Sequence, residues 1–171
     1  MKNKMTEREA SSVFIISIVK GVEKDWPDIA AKLIPIIGID LQKDEKAQFD
    51  FAMALIAVQM QALPNLLPSQ QAVRLKTYIL EGISFESEYW TTLYRELIKE
   101  YDSTWQVALS KQQPPHESIG SLLYDQFNCE QKITFEGKQF KSPLTVSALA
   151  MMTIVGGWWK EFLSKNEVIQ A

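Results

Sequence analysis

SPLTVSALAMMTIVGGWW, residues 142–159, runs for 18 residues without a charge. A run of that length either spans a bilayer or lies in the middle of a protein core. Its polar content favours the core, because Ser142, Thr145, Ser147 and Thr153 interrupt it and Gly156-Gly157 sits near its end. On a helix, Leu144, Ala148, Met151, Val155, Trp158 and Phe162 form one apolar stripe, and Leu149, Met152, Gly156, Trp159 and Leu163 form a second. A helix with two apolar stripes is buried on most sides. Ser142 and Pro143 read as cap and first helical position, so a buried helix is expected from there to about Lys165, with no membrane span.

Upstream of this run the period changes. Lys132 to Phe135 and Lys138 to Lys141 flank Glu136-Gly137, which predicts a small β-hairpin near residues 131–141 whose lysines protect its edges. Everything earlier reads as helix. Thr6-Glu7-Arg8-Glu9 has capping-box spacing and predicts a first helix from Glu7 to about Gly21. Trp26-Pro27-Asp28 opens a shorter second helix that Pro35 and Gly38 end. Residues 41–63 form a two-faced third helix, with Phe49, Met53, Ile56, Met60 and Leu63 on one side and Phe51, Leu55, Val58 and Ala62 on the other. A turn at Pro64 to Pro68 leads to a Ser69-capped amphipathic fourth helix, then a long fifth from about Ser87 to Ser110 and a short sixth from Ser118 to Phe127. The expected fold is all-α: one helical bundle of six to seven helices with one small hairpin, a single domain over 6–165, and flexible termini at 1–5 and 166–171.

Composition narrows the function classes. A chain of 171 residues and 19.6 kDa buries roughly 70% of its unfolded surface and needs no disulfide or metal to hold it. With 18 basic against 21 acidic residues it carries no evident basic face, so no nucleic-acid partner is expected. Cys129 is the only cysteine, which excludes an intramolecular disulfide and points to a reducing, cytoplasmic setting; a bacterial source is the accompanying expectation. The start of the chain does not read as a signal peptide, because Glu7 and Glu9 interrupt its positive region and charges follow the short apolar run.

Chemistry-bearing patterns are sparse. His116 and Cys129 are each the only residue of their kind, too few for a zinc or di-iron site, and their separation has no catalytic meaning. Glu96 and Glu100 read as part of a solvated face balanced by Arg95 and Lys99. Gly82-Ile83-Ser84 between the fourth and fifth helices would suit a helix-turn-helix turn, but Tyr78 stands where a small residue belongs, and Glu86 and Glu88 would face phosphate. Trp90, Tyr94, Tyr101 and Trp105 recur at helical spacing as candidates for a ligand-binding wall, against the alternative of a core seam. Phe51, Leu55, Val58, Trp158 and Trp159 are candidates for an interface, because two double-faced helices offer more apolar surface than one small core covers.

These readings lead to an expected non-enzymatic, cytoplasmic helical protein that binds protein, self-associating as a homodimer, with no cofactor and no metal. A small apolar ligand-binding protein with an aromatic-lined pocket is the alternative, and a helix-turn-helix regulator stands third. A flat exposed patch would favour the protein partner, and an enclosed aromatic cavity the ligand.

Overall fold

Thr6 starts the first helix as a capping box should. Its hydroxyl oxygen accepts the Glu9 N–H at 3.2 Å, and the Glu9 carboxylate accepts from the Thr6 N–H at 2.8 Å, holding the Glu9 carboxyl below its ordinary value. In the computed structural model, which describes residues 2–37, 40–127, 133–135, 138–140 and 157–170, helix α1 then runs unbroken through Glu7–Ile37, 31 residues. The expected break near Gly21 and separate helix from Trp26-Pro27 are corrected by this. Ala10, Phe14, Ile18, Val22, Trp26, Ala30 and Leu33 are all buried and form one stripe that stays in register across Gly21 and Pro27, both of which face solvent. An internal proline costs about 3 kcal/mol through its lost hydrogen bond and its clash with the preceding turn. Burying Val22, Trp26 and Leu33 at about 1.5–3 kcal/mol each more than offsets it. Trp26 also donates its indole N–H to the Leu41 carbonyl at 3.1 Å, which ties the far end of α1 to the chain that returns along it.

Helix α2, Glu45–Met60, begins where Asp44 accepts the Ala47 N–H at 3.0 Å, a few residues later than the expected start at 41. It is the central helix. Ala47, Phe51, Ala52, Met53, Ala54, Ile56, Ala57, Val58 and Met60 are all buried, as the two-faced pattern predicts. On one side α1 covers it, with Trp26 edge-on to Phe51 at 5.7 Å; on the other α5, Glu88–Ser110, packs against it, with Phe49 and Tyr94 at 6.3 Å.

A one-turn helix α3, Leu63–Leu66, leads to α4, Ser69–Gly82. Ser69 is its first helical residue and not its cap, which is Pro68 with no side-chain bond. Ala72, Leu75 and Ile79 face inward, giving the one-sided helix expected. α4 packs on α1 through a bidentate ion pair, Arg74 Nε and Nη2 donating to the fully buried Glu7 carboxylate at 2.9 and 2.8 Å, and through Arg8 lying 4.8 Å over the Tyr78 ring. Gly82 is the close crossing of these helices, since a Cβ there would lie 2.7 Å from Ile15 Cδ1. Gly157 meets nothing within 4 Å. Helix α6, Pro115–Gln126, packs on α2 and α5.

The hairpin forms as expected, with β2, Ile133–Phe135, antiparallel to β3, Lys138–Phe140, in the register Ile133 to Phe140. Most of the uncharged run, residues 142–156, lies outside the described residues, as do Cys129, Lys132, Lys141 and Gly156. Its end is helical over 157–165, where Phe14 of α1 meets Trp158 at 5.0 Å and Trp159 at 4.8 Å. No helix among the described residues is long and apolar enough to cross a membrane.

The two ends of the chain meet: β1, Asn3–Thr6, pairs in parallel with β4, Asn166–Ile169, in the register Asn3 to Asn166. The cause is upstream packing: β1 feeds directly into α1 and β4 leaves the 157–165 helix, so the Phe14 contact with the two tryptophans brings both ends side by side. Met5 and Val168, opposite each other in the ladder, pack on the core edge, and Gln71 of α4 donates to the Val168 carbonyl at 2.8 Å.

Candidate functional site

The aromatic series on α5 divides. Tyr101 is fully buried and Trp105 half-buried against the core, so the C-terminal half of the stripe is the helix-packing seam. Trp90, at 42% exposure, reaches the surface and stacks on the buried Tyr94 with centroids 6.1 Å apart. Tyr89 beside it is 68% exposed and edge-on to Trp90 at 5.3 Å.

The interface candidates lie elsewhere. Phe51, Val58 and Trp159 are buried, while Leu55 and Trp158 are half-buried against the same core. α1 supplies the cover that a second subunit was expected to give: Trp26 sits on Phe51, and Phe14 on Trp158 and Trp159. Trp158 also stacks on Phe162 at 4.9 Å. These five residues therefore make no open patch.

The surface around Trp90 is built by the loop at 83–87. Thr91 accepts the Phe85 N–H on its hydroxyl at 2.8 Å and donates back to backbone carbonyls of the same turn. Arg95 donates to the Ile83 carbonyl at 2.9 Å and to that of Glu81 at 2.6 Å. Together they fix the loop so that Phe85 projects between α2 and α5, 5.7 Å from Phe49 and 5.1 Å from Tyr94. Arg95 is thereby spent on the loop backbone, leaving Glu86 and Glu88 as the exposed charges beside it.

Three grooves share these walls. One of about 360 Å³ lies between α1 and the loop, lined by Ile15, Ile16 and Val19 opposite Phe49, Ile83 and Phe85. A second of about 270 Å³ is bounded by Glu45, Lys46, Phe49, Phe85, Trp90 and Tyr94. The third, about 450 Å³, continues past Lys46 and Tyr94 along Leu93, Glu96 and Glu100 to Gln126 of α6. Because neighbouring grooves share Phe49 and Phe85, then Lys46 and Tyr94, they form one trough across the molecule.

Under the trough lies a polar pair. Asp50, 2% exposed, accepts from Lys46 at 2.7 Å. Burial pushes its carboxyl above the ordinary value, while the Lys46 ammonium pulls the other way. Burial, and then the Asp50 and Asp44 charges, push Tyr94 up to about 12. Burial, and then the Asp50 and Glu100 charges, raise Tyr101 further, and its hydroxyl has no hydrogen-bond partner among the described residues. Farther along α5, burial would raise Asp102, but donors from Gln61 at 2.7 Å and Lys76 at 2.9 Å outweigh it and hold that carboxyl low. This is a strut joining α2, α4 and α5.

Glu96 pairs with Lys99 at 2.6 Å on an exposed face, as the charge-balanced reading of that stretch anticipates. His116 opens α6, but Cys129 lies outside the described residues, so no geometry relates them. Among the described residues no group of three or more His, Cys, Asp or Glu side chains could hold a metal ion. Phe85, Lys46 and Asp50 escape a sequence reading because their place depends on how the 83–87 loop folds back over α2. A carboxylate in the middle of an apolar helix was the one available signal. Compared with known proteins, the chain matches no family, no curated protein and no solved structure.

Proposed function

We propose that this protein is a non-enzymatic, cytoplasmic protein that works by contact with protein, a second copy of itself in the first place, through the trough between α1 and α5. The observation that carries this reading is the exposure of Ile16 at 53%, Tyr89 at 68%, Trp90 at 42% and Leu93 at 40% along a trough that is open to solvent. Scattered exposed apolar residues are ordinary, but a contiguous band beside shared grooves is the usual mark of an interaction surface. Tyr and Trp suit such a surface because they add large contact area for little side-chain entropy. Two-fold pairing is the commonest arrangement for a soluble chain, and it would lay the band of one copy against that of the other. The openness of the trough favours this over an enclosed pocket for a small apolar ligand.

Sedimentation velocity on wild type and on the Ile16→Glu/Leu93→Glu double variant tests the reading. Wild type should show a concentration-dependent larger species that the variant lacks, with the far-ultraviolet circular dichroism of the two unchanged. A larger species that persists in the variant would move the interface off this band.

A further inference from the structure

The middle groove of the trough has a chemistry of its own. Four of its six lining residues are aromatic: Phe49, Phe85 and Tyr94 are in mutual ring contact at 5.1–6.3 Å, and Trp90 extends the wall over Tyr94 at 6.1 Å. The rings do not lie in one plane. Phe49 meets Phe85 at 78° and Tyr94 at 45°, so the rings that line this groove of about 270 Å³ are inclined to one another. The negative face of an aromatic ring attracts a cation, most strongly when the cation is poorly hydrated.

Nearby charges reinforce this. Lys46 lines the groove, but its ammonium is committed to Asp50 at 2.7 Å. Counting Asp44, Glu45 and Asp50 against Lys46 and against Arg95, whose guanidinium lies on the loop that carries Phe85, leaves a net charge of about -1 among these five groups. The upward push that Asp50 and Asp44 exert on Tyr94 reports the same negative field. An apolar neutral ligand would gain nothing from these carboxylates. A hydrated inorganic cation or a primary amine would have to shed strongly held water to meet the rings, and among the described residues the only carboxylate lining this groove is that of the exposed Glu45. A cation whose charge is spread over methyl groups meets both conditions.

The geometry points to a binding site for a quaternary ammonium group at Phe49, Phe85, Trp90 and Tyr94, with the Glu45 carboxylate at its rim. This inference goes beyond protein contact and does not rest on it, because binding can be read on dilute monomer.

The test is a titration of dilute protein, followed by its tryptophan fluorescence, with choline and with 3,3-dimethylbutan-1-ol, the neutral carbon isostere of the same shape. Choline should produce a saturable change, and the isostere should bind at least about tenfold more weakly. Trp90→Leu keeps an apolar side chain at a partly exposed position and removes the ring. Followed by calorimetry, it should weaken choline by about tenfold and leave the isostere unchanged. Glu45→Gln should weaken choline alone. Co-sedimentation with phosphatidylcholine vesicles separates the two sources of the group: retention that free choline competes away assigns a lipid headgroup, and no retention with choline binding intact assigns a free molecule. Equal affinity for choline and its isostere, or no saturable binding of choline, overturns the proposal. Either result leaves the self-association measurement untouched.

Discussion

Replacing Phe14 by alanine tests whether α1 closes the core within a single chain. Phe14 has no solvent exposure, and its ring meets Trp158 at 5.0 Å edge-on and Trp159 at 4.8 Å. Removing a fully buried phenylalanine costs about 3–5 kcal/mol in lost transfer energy and residual cavity. The upper half of that range fits here, because two indoles lose their ring partner at once. Domains of this size are stable by only about 5–15 kcal/mol, so the loss is a large fraction of the total. At about 2–4 °C per kcal/mol, a 4 kcal/mol loss lowers the melting temperature by roughly 8–16 °C. Urea titration followed by circular dichroism and by tryptophan emission should give the same shift, because the contact joins the first helix to the last. Ile16→Ala, on the exposed side of the same helix, should stay within about 0.5 kcal/mol of wild type. A cost below about 1 kcal/mol for Phe14→Ala would refute the reasoning, since it would mean that α1 does not cover the tryptophans.

The close approach at Gly82 predicts coupling with Ile15: Gly82→Ala should be about 1 kcal/mol more favourable in an Ile15→Val background, which removes the Cδ1 atom 2.7 Å from the new methyl, and an additive double-mutant cycle would exclude the contact. Tyr101→Phe removes a buried hydroxyl that has no partner among the described residues, so chemical denaturation should show stability unchanged or raised by about 1 kcal/mol; a clear loss would mean the hydroxyl is bonded. Alkaline stability should fall as pH rises. Tyr94 holds its proton to about 12 in the folded state against 10.0 ordinarily, so its contribution is complete below about pH 10 and gone by about pH 12. That contribution is at most roughly 3 kcal/mol, and Tyr94→Phe should make this limb of the pH profile of urea midpoints shallower, the remainder belonging to Tyr101.

Local signals were legible in the sequence, and long-range closure was not. The Thr6 to Glu9 box, the two-faced α2 and the antiparallel pairing of β2 with β3 each depend on residues a few positions apart, and each is present. The expected break in α1 gave Pro27 more weight than the stripe running through it; the 4-residue rhythm from Ala10 to Ala30 was available and is the stronger term once burial is counted. The pairing of β1 with β4 joins residues 163 apart in register and has no local signature, because four-residue strands carry little periodicity. At the site, Trp90 and Tyr94 were visible as a spaced pair. Their separation from Tyr101 and Trp105 was not, because helical spacing places residues on a face without saying where that face leaves the core. The interface candidates followed from counting apolar stripes, and α1, read as two shorter helices, had not been given enough length to cover them.

Light scattering coupled to size exclusion, over a dilution series of wild-type protein, tests the central claim most directly. Self-association through the α1–α5 trough predicts a mass near twice the 19.6 kDa of the chain at micromolar concentration, falling towards the single-chain value on dilution. A mass of 19.6 kDa at every concentration would contradict it.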